Sequence, residues 1–113
     1  MLEMITAIIK PHQLDAVKDA LLAAGVEGMT VTEVRGFGRQ RGKTENFRGS
    51  EYKIDFVPKV RLEIVVDSAH TEHLVALIGD TARTGKIGDG KVWTTPVGTL
   101  LRVRTAETGN DAL

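Results

Sequence analysis

Between Gly85 and Lys91 the chain reads Gly-Lys-Ile-Gly-Asp-Gly-Lys, and Arg102 and Arg104 follow one residue apart. Closely spaced glycines allow backbone angles at which successive N–H groups converge into a nest for an anion. Lys91 would stand beside such a nest. Two arginines at i and i+2 on a strand point the same way, about 7 Å apart. Their planar forks suit phosphate oxygens. The spacing G-x-x-x-x-G-K also matches a Walker A loop, but such a loop runs from a strand into a helix and places Ser or Thr after the lysine. Here a helix runs into a strand, and Val92 follows the lysine. A plain reading remains for the glycines alone, a helix cap followed by a turn. With the arginines beside them, phosphate is the favoured ligand.

A second chemical locus is the polar stretch from Gly38 to Phe56. Hairpin loops ordinarily use about 2–5 residues, so this one reads as a functional arm. Arg41, Lys43, Arg48 and Lys53 alternate with Glu45, Glu51 and Asp55, a mixture that keeps a segment hydrated. Near its tip Ser50 and Tyr52, the only tyrosine, offer hydroxyls that a modifying enzyme could reach.

The elements that must carry these loci follow from periodicity. Met4–Ile9 is an isoleucine-rich strand broken at Lys10-Pro11. Leu14, Val17 and Leu21 recur at helical spacing, with Gly25 as C-cap. Met29–Arg35 is β-branched, and Val60–Ile64 alternates so that Arg61 and Glu63 oppose Val60, Leu62 and Ile64. Asp67-Ser68 caps a second helix with Leu74, Leu77, Ile78 and Thr81 on one stripe, ending near Gly85. Lys91–Val97 and Leu100–Thr105 read as short strands. The expected fold is α+β, the ferredoxin-like split βαβ (β-α-β-β-α-β), with two helices on one face of an antiparallel sheet and a long loop between the second and third strands. On the other face Arg61, Glu63, Arg102 and Arg104 would mix with Val65, a composition suited to contact between subunits.

The length of 113 residues fits one domain spanning 1–113, with the arm at about 38–56 and a mobile tail at about 106–113. No apolar run reaches the roughly 20 residues that cross a bilayer. The N-terminus has no basic stretch of the signal-peptide kind, so a cytoplasmic location is expected. The absence of cysteine excludes disulfides and thiolate chemistry. A formal net charge of zero argues against a general nucleic-acid binder. His12, His70 and His73 lack metal-ligand spacing and read as surface residues.

Four strings resemble the PII nitrogen-regulatory signal-transduction proteins: Gly28–Val34, Gly36–Gln40, Arg48–Tyr52, and Thr84–Lys91 followed by Arg102-Val103-Arg104-Thr105. The resemblance covers nearly the whole chain. It implies a homotrimer that senses ATP or ADP and, with Mg2+, 2-oxoglutarate, and that is not an enzyme. The Gly38–Phe56 arm would then be the family's T-loop, docking on targets such as an ammonium channel and nitrogen-assimilation enzymes or regulators. The membrane is involved only through a channel partner.

Residue by residue, the resemblance implies that Gly88, Asp89, Gly90, Lys91, Arg102 and Arg104 cradle the nucleotide phosphates. Glu63, Ile64 and Val65, with Gly28, Met29 and Thr30 of a neighbour, would frame adenine and ribose. Gly36, Phe37, Gly38, Arg39 and Gln40 would line the nucleotide at the arm's root. Gln40 would also offer an oxygen to magnesium, and Lys59 would neutralise a 2-oxoglutarate carboxylate near Gly38 and Gln40. Tyr52 matches a tyrosine that a nucleotidylyltransferase modifies in some members, and Ser50 a serine phosphorylated in others. Phe47 stands where many members have a second tyrosine, and Ala106 where a glycine usually follows the Arg-x-Arg-Thr string.

Three rival classes compete with this reading. A phosphotransferase would need a base or nucleophile facing the phosphate, and Asp89 is the only acid in the glycine loop. An RNA-recognition module needs exposed sheet aromatics, and aromatics make up only 4% of the chain with none from Val60 to Val66. The serious alternative is a PII paralogue that binds adenylates but regulates carbon or metal handling.

Overall fold

The computed structural model describes residues 1–38 and 55–113. Four strands, β1 (Leu2–Ile9), β2 (Thr30–Gly36), β3 (Val57–Asp67) and β4 (Gly90–Val97), and two helices, α1 (Leu14–Ala23) and α2 (Thr71–Ala82), follow in the order β1-α1-β2-β3-α2-β4. The sheet has the order β2-β3-β1-β4 and is antiparallel throughout. This is the expected split βαβ fold.

Alternation sets its two faces. Ile5, Ala7 and Ile9 pair with Ile64, Leu62 and Val60 and meet Val17, Leu21, Leu74 and Ile78 of the helices in one buried core. The stripe on each helix therefore faces the sheet. Met4, Thr6 and Ile8 point the other way, alongside Arg61, Glu63 and Val65 of β3 and Lys91, Trp93 and Thr95 of β4.

Local signals set the helix ends. At the close of α1 the Val26 N–H reaches the Leu21 carbonyl at 3.0 Å and the Gly25 N–H reaches that of Leu22 at 3.0 Å, a Schellman motif with Gly25 at φ 96°. Before α2 the Asp67 carboxylate accepts from the Ala69 N–H at 3.0 Å and closes a 3-10 turn, Ser68–His70. Asp67 also accepts from the Asn110 amide at 2.6 Å, tying a second 3-10 turn, Gly109–Ala112, to the start of α2.

The structure corrects one element. Leu100–Thr105 does not add a strand to the sheet. Leu101 instead bridges Thr108, the Arg102 N–H bonds to the Glu107 carbonyl at 2.9 Å, and the Ala106 N–H bonds to the Arg102 carbonyl at 2.7 Å. The chain turns back and satisfies its backbone groups locally, which removes the need for a ladder partner. Ala106 sits in this turn at φ 64°, the left-handed region its usual glycine counterpart enters freely.

Candidate functional site

The glycine loop leaves α2 at Arg83 and enters β4 at Gly90. Asp89 gives it shape. Its Oδ2 accepts the N–H groups of Thr84 at 2.8 Å and Gly85 at 2.9 Å, and its Oδ1 accepts the Thr84 hydroxyl at 2.5 Å. Lys10, one residue beyond β1, places Nζ 3.2 Å from Asp89 Oδ1 and 3.3 Å from Thr84 Oγ1. The Thr84 hydroxyl, then the Thr84 and Gly85 N–H groups and Lys10, hold the Asp89 carboxyl well below the usual carboxylate range despite its desolvation. Asp89 thus uses its side chain to clasp the loop.

Lys59 enters the same cluster from β3. It is a buried lysine, 7% exposed, and donates to the Gly88 carbonyl. Burial and then the Lys10 ammonium lower its pKa, with Asp89 acting in the opposite sense. Lys59 pairs with Val34, and two residues along β2 Gly36 pairs with Val57. Phe37 and Phe56 then stack edge to face across the base of the arm, with centroids 5.4 Å apart and planes at 79°. The cationic cluster and the arm's root therefore occupy the same end of the sheet.

The residues expected around adenine and ribose come together elsewhere. Gly28, Met29, Thr30, Glu63, Ile64 and Val65 line one groove of about 730 Å³ within a single chain, with Thr30 directly opposite Glu63. Glu63 lies four residues along β3 from Lys59, or about 13 Å. Gly88, Asp89, Gly90 and Lys91 do not line this groove; the last three border a smaller hollow of about 190 Å³ with Ile9, Ala82 and Arg83.

Arg102 and Arg104 are not parallel neighbours on a strand. Arg104 is exposed in the turn, whereas Arg102 contacts Glu107 Oε1 at 2.9 Å and donates to the Leu113 backbone oxygen at 2.7 Å. Gly36, Phe37 and Gly38 stand at the arm's root, and Arg39, Gln40, Ser50 and Tyr52 lie outside the described residues. Among the described residues, no three His, Asp or Glu side chains gather to hold a metal, and no helix is long and apolar enough to cross a membrane. Two contributors escaped the sequence reading, Lys10 and Glu107. Neither carries a local signal, because their partners are set by strand register and by the turn.

Fold and loop define a ferredoxin-like α+β domain with a cationic glycine loop at one end of its sheet. The family model for nitrogen regulatory protein P-II matches residues 2–107, and the chain belongs to that family of signal-transduction regulators. It is 54% identical over 112 residues to the nitrogen regulatory protein P-II of Cereibacter sphaeroides and 51% identical over 112 residues to that of Azospirillum brasilense. Each comparison covers 99% of this chain and 100% of the relative. A crystal structure of Arabidopsis thaliana PII bound to citrate superposes with a TM-score of 0.82 at 39% identity, covering 99% of this chain and 92% of that one.

Proposed function

We propose that this protein senses ATP or ADP together with 2-oxoglutarate and regulates nitrogen assimilation by docking its arm on target proteins. The observation that carries this reading is the meeting of Lys59, the glycine loop and the base of the arm at one end of the sheet. An anion bound to Lys59 would touch the segment from which the arm departs. Ligands that favour different arm conformations then shift its population between docking and non-docking forms.

In this reading the groove at Glu63 and Thr30 takes adenine and ribose. The glycine loop, Lys91, Arg102 and Arg104 take phosphates, and Gly36 to Gln40 line the arm's root. Gln40 would offer an oxygen to magnesium, which would supply a hard cation suited to oxygen ligands. Three copies assemble through the sheet face that carries Met4, Ile8, Val65 and Trp93, so that each groove meets a neighbour's residues. The protein acts in the cytoplasm as a regulator without catalytic activity. Modification at Tyr52 or Ser50 adds negative charge to the arm and alters docking on an ammonium channel or assimilation enzyme.

Calorimetric titration with 2-oxoglutarate, with and without magnesium-ATP, tests the proposal. Binding only in the presence of magnesium-ATP is the expected result. Lys59→Ala and Gln40→Ala should abolish 2-oxoglutarate binding while retaining much ATP binding, and Arg102→Ala should weaken both. Equal loss of both ligands in all three variants would refute the assignment. Nucleotide binding with no 2-oxoglutarate response would instead favour a paralogue reading adenylates alone.

A further inference from the structure

The segment that follows β4 is fastened to the molecule at its far end. The Asn110 side-chain amide donates to Asp67 Oδ2 at 2.6 Å, while Asp67 Oδ1 accepts the Ala69 N–H at 3.0 Å. Both oxygens of Asp67 are engaged, one capping the turn before α2 and the other holding the tail. The Leu113 N–H then returns to the Asn110 carbonyl at 3.2 Å across the 3-10 turn Gly109–Ala112. Asn110 and Leu113 are thus joined by one short turn, so the bond to Asp67 fixes where the Leu113 backbone oxygen sits. It sits on Arg102, whose Nη2 donates to it at 2.7 Å, while Nη1 donates to Glu107 Oε1 at 2.9 Å.

That placement bears on the ligand site. Asn110, Ala112 and Leu113 line the same groove as Thr30 and Glu63. A bidentate hold on phosphate uses adjacent N–H groups of the guanidinium fork. In Arg102 both terminal nitrogens already serve oxygens of the protein, whereas Arg104 is exposed in the turn. The tail therefore competes for one of the two arginines. Its hold comes from Asp67, a charge-assisted acceptor eight residues along β3 from Lys59, or about 26 Å.

We propose that the Asp67–Asn110 bond is a latch that keeps the Leu113 oxygen on Arg102, and that a phosphate-bearing nucleotide engages Arg102 only when this latch opens. The inference rests on the reading of Arg102 as a phosphate ligand given above. It makes Asp67 and Asn110 determinants of nucleotide affinity that act through the tail. The coupling is reciprocal: nucleotide loosens the tail, and loosening the tail tightens nucleotide. A latch closed about 70–90% of the time lowers the apparent affinity about three- to tenfold.

Calorimetry with magnesium-ATP on the full chain tests the latch. Asn110 is exposed, and Asn110→Ala should bind magnesium-ATP about three- to tenfold more tightly than wild type. Asp67→Ser keeps an oxygen for the Ala69 N–H but withdraws the acceptor from Asn110, and it should tighten ATP to the same degree. The double variant should be no tighter than either single one, because both changes open one bond. A purely structural role for the bond predicts the opposite sign, and weaker or unchanged ATP binding in Asn110→Ala would overturn the inference. Arg102→Ala separates the latch from the reading beneath it. In that background Asn110→Ala should leave ATP affinity unchanged, since no guanidinium remains to be released; a gain of full size there would also overturn the latch. Unchanged ATP affinity in Arg102→Ala alone would refute the phosphate role of Arg102 and the inference with it. NMR supplies a second readout in the wild type. The Asn110 side-chain amide signal should move to the position of a free asparagine as ATP saturates, and a signal that keeps its bonded position would contradict opening.

Discussion

Gly90 stands opposite Ile9 in the β1–β4 ladder, and a Cβ at position 90 would lie 1.7 Å from the Ile8 carbonyl oxygen. Gly90 also holds φ 104°, so alanine there meets both a backbone clash and a disfavoured conformation. Gly90→Ala should cost about 3 kcal/mol or more of stability. Chemical denaturation should show a lower midpoint at unchanged slope. A wild-type midpoint would mean that β1 and β4 do not approach as described.

Ala106 presents the opposite case. It occupies φ 64° in the turn that returns Glu107 to Arg102. A left-handed alanine costs roughly 1–2 kcal/mol, and the added freedom of an unfolded glycine returns about 0.5–1 kcal/mol of that gain. Ala106→Gly should therefore stabilise the protein by about 0.5–1 kcal/mol. A thermal melt showing no rise would contradict the strain at this position.

Glu107 occupies the Arg102 guanidinium at 2.9 Å and is braced by the Thr105 hydroxyl at 2.8 Å. If Arg102 serves phosphate, Glu107 competes with the nucleotide for it. Glu107→Gln should tighten ATP about two- to fivefold, the modest range set by a pair this exposed to solvent. Weaker ATP binding in this variant would show that Glu107 orients Arg102 rather than masking it.

Two carboxylates make stability fall in acid. The Ala69 N–H and then the Asn110 amide lower the Asp67 pKa, and the Thr84 hydroxyl leads the donors that lower that of Asp89. A carboxyl whose folded pKa lies below its unfolded value of about 4 stabilises the fold above that value. The contribution is lost as pH falls through the folded pKa. Denaturation midpoints compared at pH 7 and pH 3 should drop for wild type and drop less for Asp67→Asn and Asp89→Asn. Identical pH slopes in all three proteins would rule out these two groups as the source.

Much of this molecule was legible in its residues. Val17 and Leu21, Leu74 and Ile78, and the alternation from Val60 to Val66 reported both the elements and their inward faces, because burial selects residue type at the period of each backbone. The glycines from Gly85 to Gly90 announced an irregular loop, and the four family strings named the lineage. The partners of the charged groups were not legible. Lys10 meets Asp89 only because Ile9 pairs with Gly90, and Lys59 meets Gly88 only because β3 and β4 flank the same strand. The Leu100–Thr105 segment alternates like a strand yet closes on itself, with Arg102 joined to Glu107 instead of set beside Arg104. Composition and period are local quantities that fix what a segment prefers. Which charge neutralises which, and which stays open to a ligand, depends on distances between segments far apart in the chain, and only the packed sheet sets those.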